Sequence, residues 1–421
     1  MSSPSRADPG AGGLESGSAT ETQRFPGLDA YRAIGMTMVM LIHAHASTND
    51  VPRGYVGDVL RRMDLGLAIF FVLSGFLIFR PFIAAQLAGK PGVPTRKYLR
   101  RRALRIFPGY WFALVMAFLL FGEAVQGFKG AVVFFGLLQS FVPDPDLIRG
   151  GIQQSWTLMT ELSFYVMLPV FAAVIARLSR GRDVGGRVRV ALAGVGVLYL
   201  TGVLFRVAIV LISRSEPAHP DVASLAYRMT LWMPGHLDLF AVGMACAVIS
   251  AYIAQGGAMP RVITGLADRP NLSWALGGIL FLVLTLSSPP DAFFHFGAEY
   301  SVRLFVYGVI AALLLIPSFF GDQRRGRLRH LLAGPIPVYL GTVSLGFYLW
   351  HLHILEQLRD WMDLGPFQGT TSDFVVLAIL TFALGVVAAT ISYFVVERPF
   401  LRLKDRPVSS LWRREAHAAA S

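Results

Sequence analysis

The stretch 28–47, LDAYRAIGMTMVMLIHAHAS, carries Asp29, Arg32, His43 and His45 in a segment apolar enough to enter a bilayer. An ionisable group at membrane depth is costly, so each one needs a reason. Arg32 and His43 are eleven positions apart. On an α-helix that is three turns plus roughly 20°, a rise of about 16 Å. Both side chains therefore share a face with Asp29 near the same stripe, while His45 points elsewhere. A histidine so placed can act as a general base, and a guanidinium can hold an anion or steady a developing negative charge. The plainer reading is a helix–helix hydrogen bond for His43 and an interface-seeking side chain for Arg32.

Other polar groups stand in apolar company. Glu161 enters the run SWTLMTELSFYVMLP with no cation close in sequence. Thr157 and Tyr165 lie one turn to either side and share its face. Its expected partner is Arg32 or His43, either as a structural ion pair or as part of a reacting centre. Ser74 and Gly75 sit midway through LAIFFVLSGFLIFRPF, where small residues favour close helix packing over ligand contact. The run RKYLRRRALRIFPGYW, residues 96–111, groups six cations. Arg102 and Arg105 share a helix face and suit phosphate, while anchoring at a lipid surface is the simpler role. Tyr110 and Trp111 suit an interface belt. His236, Asp238, Trp350, His351, His353 and Glu356 form a last set, equally readable as an acceptor mouth or as interface residues. No metal-ligand spacing such as HExxH, no phosphate-binding glycine loop and no dinucleotide fingerprint occurs.

These groups need a scaffold, and composition names it. Of 421 residues, 54% are hydrophobic and 15% charged, with mean hydropathy +0.55. Soluble domains run near one quarter charged, so the expected fold is all-α and polytopic in the membrane. Ten apolar segments are long enough to span, near 30–47, 64–82, 106–122, 157–177, 191–213, 231–254, 272–287, 302–320, 337–358 and 373–396. The run 131–141 is too short and reads as an interfacial or re-entrant piece. Most of the 38 Lys and Arg fall in alternate connections. That bias predicts both termini on the cytoplasmic side. It also removes nucleic acid as the reason for the net charge of +12. The single cysteine, Cys246, permits no internal disulfide. The expected organisation is a disordered tail over 1–23, a membrane domain over 24–400 and a basic cytoplasmic tail over 401–421.

Taken together the segments resemble the acyltransferase-3 family of integral membrane O-acyltransferases. The resemblance rests on LDAYRAIG with Arg32 and His43, FFVLSGFLI at 70–78, RRALRIFPGYW at 101–111 and WTLMTELSFY at 156–165. LDLFAVGMACA at 237–247, YLWH at 348–351 and ERP at 397–399 complete it. It covers nearly the whole chain after residue 24. It departs at Ala30 and Tyr31, where smaller residues are usual, and at His353, where proline is common.

The resemblance implies transfer of an acyl group, acetyl above all, from acyl-CoA to a hydroxyl of a cell-envelope glycolipid or saccharide. The setting is the cytoplasmic membrane of a bacterium. It implies His43, Arg32 and Glu161 as the catalytic group and Arg101, Arg102, Arg105, Tyr110 and Ser74 around the acyl-CoA. Trp156, Tyr165, Asp238, Trp350 and His351 are candidates on the acceptor side. No permanently bound cofactor or metal is expected; acyl-CoA is a substrate. A macrolide-type acceptor remains the nearest alternative, and a transporter using the same in-span charges is a further one.

Overall fold

The computed structural model describes residues 27–49, 51–216, 221–287, 297–322, 326–365 and 368–405. Asp50, the expected tail over 1–23 and most of 401–421 lie outside them. Every regular element among the described residues is helical. The long ones are α1 (Gly27–Ser47), α2 (Leu65–Leu87), α3 (Thr95–Leu120), α4 (Trp156–Leu178), α5 (Val184–Ser213) and α6 (Leu237–Ile253). They continue with α7 (Pro270–Ser287), α8 (Ala298–Phe320), α9 (Pro335–Thr342), α10 (Ser344–Trp361) and α11 (Thr371–Ser392).

Each of the ten expected spans falls on these helices. Eight described helices are long and apolar enough to cross a membrane, and α9 with α10 makes a ninth, bent by 69° at the break between them. The remaining segment, α1, has the length at 21 residues. Its polar side chains dilute its hydropathy, and it packs among α2, α9, α10 and α11. The segment 131–141 forms a short helix, Gly127–Phe135, and a 3-10 turn, Gln139–Phe141. Tyr110 and Trp111 of α3 tie it down by donating to the carbonyls of Phe134 and Phe135 at 2.6 and 3.0 Å.

The centre of the bundle is α2 against α6. A Cβ built on Gly75 would lie 2.1 Å from the Phe240 carbonyl oxygen, and one on Gly243 would lie 1.9 Å from that of Val72. Only glycine permits backbones this close. Outer helices show the opposite pattern. Val197, Leu200 and Leu204 on α5 and Ile279, Val283 and Leu286 on α7 are exposed. A contiguous apolar outer surface of this kind suits lipid, not water.

Candidate active site

Five helices line a partly open cavity of ≈ 820 Å³ of empty space, open solvent included. α2 contributes Phe70 and Ser74, α3 contributes Arg102 and Arg105, and α4 contributes Thr157, Glu161 and Tyr165. Arg32 enters from α1, and Ser344 and Tyr348 from α10. The helical spacing of Thr157, Glu161 and Tyr165 does what the sequence leads one to expect, since all three face the same space. A second cavity of ≈ 500 Å³ adjoins it, sharing Arg32, Arg105 and Leu345 and adding Asp29 and Glu397.

The charges in the main cavity are unequally matched. Arg32 is paired within its own helix, its Nη1 2.6 Å from Asp29 Oδ1. Arg102 lies against aromatic faces, its guanidinium carbon 5.8 Å from the centre of Tyr98 and 5.5 Å from that of Tyr165. Arg102 and Arg105 form no ion pair with any described residue. The two cations are one turn apart and line the cavity, with Glu397 acting on Arg105 through space across the second cavity and no direct ion pair among the described residues.

Glu161 is bonded to Ser74, whose hydroxyl donates to Oε1. The hydrogen-bond partner of Glu161 is Ser74, while Arg32, one of its two expected partners, shares the cavity and interacts with its charge without a direct bond. Ser74 serves the cavity while its neighbour Gly75 does the close packing. Neither relationship could be read from one strand of sequence, because each depends on which helix lies alongside.

His43 is held elsewhere. Its Nδ1 lies 2.9 Å from Nε2 of His351, with the two rings stacked at 5.1 Å and 16°. His351 is buried and stacked in turn on Phe347 at 5.9 Å and 4°. Its Nδ1 is 2.8 Å from the Tyr348 carbonyl oxygen. The Tyr348 hydroxyl donates to the Gln154 carbonyl at 2.6 Å and accepts from Thr157 at 2.8 Å. The lining of the main cavity reaches Tyr348 and does not include His43 or His351. Arg32 and His43 thus sit on one helix but not on one cavity: Arg32 lines the space, and His43 is paired with His351 outside the lining.

Sequence reasoning missed the His43–His351 pair and the bracing by Gln154. The one available signal was the run YLWH, in which Tyr348 and His351 are a helical turn apart. Other expected residues are placed away from the cavity. Arg101 is exposed on the outer side of α3, because it follows Arg100 around the helix while Arg102 turns inward. Tyr110 is fully buried against the short helix. Asp238 is committed to a buried pair with Arg206, Oδ2 to Nη2 2.8 Å. Trp156 packs near His236 at 5.7 Å. Trp350 packs near Phe112 and Phe121 at 6.0 and 6.4 Å.

The cavity with its arginine pair and the neighbouring histidine pair stand inside a membrane-spanning helical bundle. The comparison of sequences gives the class directly. The family described as Acyltransferase domain matches residues 25–390, and the chain belongs to that family. It is similar to the acyltransferase MdmB of Streptomyces mycarofaciens, 25% identical over 92% of this chain and 95% of that one. Nodulation protein 10 of Rhizobium leguminosarum bv. viciae is 24% identical over 90% and 94%. The O-acetyl transferase of Shigella phage Sf6 is 26% identical over 37% of this chain and 47% of that protein. No solved structure matches. The protein is a multi-pass membrane O-acyltransferase.

Proposed function

We propose that the protein transfers an acetyl group from cytoplasmic acetyl-CoA to a hydroxyl of an envelope glycolipid or saccharide, in the cytoplasmic membrane of a bacterium with both chain termini inside. The observation that carries the donor is the pair Arg102 and Arg105, without ion-pair partners among the described residues, on the lining of the ≈ 820 Å³ cavity. The CoA diphosphate binds these guanidinium groups, and the pantetheine arm follows the cavity toward Tyr348. The acyl end then passes that side chain to meet His43.

His43 Nε2 takes the proton of the acceptor hydroxyl as its oxygen attacks the thioester carbonyl. A carbon–oxygen bond forms and the carbonyl oxygen becomes an oxyanion. Collapse of that intermediate breaks the carbon–sulfur bond, and the departing thiolate recovers the proton from His43. Arg32 supplies positive charge along the path, and Glu161 balances the cations around it. Enclosure among the helices limits hydrolysis of the thioester.

The test uses purified protein, acetyl-CoA and envelope extract. His43→Ala at equal folded yield is expected to abolish thiol release; wild-type turnover would remove His43 from the reaction. Mass spectra of envelope glycans and lipids from a deletion strain should lack one acetyl per modified site. An unchanged acetylation profile would rule out the envelope acceptor.

A further inference from the structure

His351, an acceptor-side candidate by sequence, is absent from the lining of the main cavity and is bonded instead to His43. A carbonyl oxygen can only accept a hydrogen bond, so His351 Nδ1, 2.8 Å from the Tyr348 carbonyl, carries the proton. A neutral imidazole has one N–H. Neither His43 nor His351 pairs with a carboxylate among the described residues, so both rings are neutral at rest. His351 Nε2 is then a bare acceptor. The atom 2.9 Å from it, His43 Nδ1, must be the donor. His43 therefore carries its proton on Nδ1 and keeps a lone pair on Nε2.

We infer that His351 is a positioning residue that holds His43 in the Nδ1–H tautomer, so that Nε2 is the atom offered to the acceptor hydroxyl. This rests on the reading of His43 as general base. The same logic applies wherever a base is fixed by the hydrogen bond of its other nitrogen. Tyr348 and Gln154 make the lock rigid. Gln154 Nε2 donates to the carbonyls of Tyr348 and Leu349 at 3.1 and 3.0 Å, which fixes the turn of α10 from which His351 hangs. Stacking on Phe347 sets the ring plane. When His43 becomes an imidazolium, His351 Nε2 still accepts from Nδ1 and steadies the charge.

The full chain, labelled with ¹⁵N histidine and held in lipid nanodiscs, reports the tautomer directly by NMR. The His43 signals are assigned by their loss in His43→Asn. Wild type is expected to show His43 in the Nδ1–H form. His351→Phe keeps an aromatic ring for the two stacks but removes the acceptor, so His43 is expected to return to the Nε2–H form that free imidazole favours. His351→Gln places an amide oxygen near the lost Nε2 and is expected to keep Nδ1–H. An Nε2–H His43 in wild type, or no change in His351→Phe, overturns the lock. Because this readout involves no turnover, it is independent of whether His43 is the base.

A second arm follows thiol release from acetyl-CoA. His351→Phe should lower turnover about 100-fold with the KM for acetyl-CoA unchanged, and His351→Gln should recover at least about tenfold of that. Equal loss in both variants overturns the inference.

Discussion

Ser74 and Glu161 meet side chain to side chain across α2 and α4, 87 positions apart in the chain, with the hydroxyl donating to the carboxylate. The contact fixes one oxygen of Glu161, the only carboxylate among the described residues that line the main cavity. Arg32 is occupied by Asp29, so Glu161 adds negative charge to a space that an anionic donor must enter. Glu161→Gln keeps the bond to Ser74 and removes the charge. Its expected result is CoA binding at least as tight as wild type, with turnover lower by roughly 10- to 100-fold. Calorimetry for binding and thiol release for turnover separate the two. Weaker CoA binding would show instead that the carboxylate helps hold the donor.

The arginine pair makes a complementary prediction. Arg102→Ala and Arg105→Ala should each weaken CoA binding by about tenfold or more, the worth of one charge-assisted hydrogen bond. The double variant should also show a flatter dependence on salt. Arg102→Lys keeps the charge but loses the planar stacking against Tyr98 and Tyr165, so it should recover only part of the loss. An unchanged donor affinity in the double variant would remove these residues from the donor site.

Helix identity and the face-sharing of Thr157, Glu161 and Tyr165 were legible in the sequence, because both follow from local periodicity. Partner choice was not. Glu161 looked unpaired since its hydroxyl partner lies on another helix. His43 and His351 are 308 positions apart, and no local rule joins them. Ser74 and Gly75 show the limit sharply: adjacent small residues invite one explanation, yet the helix sends one to the cavity and the other to α6.

That division of labour predicts a stability effect with a clear geometry. An added methyl at Gly75 or Gly243 would meet a carbonyl oxygen at 2.1 or 1.9 Å, and backbone cannot swing aside. Gly75→Ala and Gly243→Ala should each destabilise by about 1–3 kcal/mol, the cost of overpacking. Thermal unfolding in detergent measures this. Ser74→Ala adds no atom to the helix contact and removes the bond to Glu161, so it should lower the melting temperature less than either glycine replacement while lowering turnover.

Glu123 offers a pH-dependent test outside the spans. Its Oε2 accepts from the Gly151 N–H at 3.1 Å, but burial outweighs that bond and raises its carboxyl above the usual range. A raised carboxyl is a cost to the folded state once it ionises, so stability falls as pH climbs through its folded value. Glu123→Gln can keep the acceptor oxygen without the charge. It should melt slightly higher than wild type at neutral pH, with the gain vanishing below the ordinary carboxylate range. A gain constant with pH would mean that ionisation is not its source.

Asp238 distinguishes a structural charge from an acceptor contact. It stands in the first turn of α6, where the helix dipole favours a carboxylate. Both of its oxygens face Arg206, with the Oδ2 contact at 2.8 Å, and each side chain is almost fully buried. Arg206 Nη1 also donates to the Gly235 carbonyl at 3.0 Å, tying α5 to the entry of α6. Removing one member strands the other charge away from water. Asp238→Leu or Arg206→Met alone should therefore cost about 3–5 kcal/mol, while the double replacement should recover much of it. An acceptor-binding role predicts the opposite pattern: a raised acceptor KM in Asp238→Asn with an unaltered melting temperature, and no rescue by the second substitution.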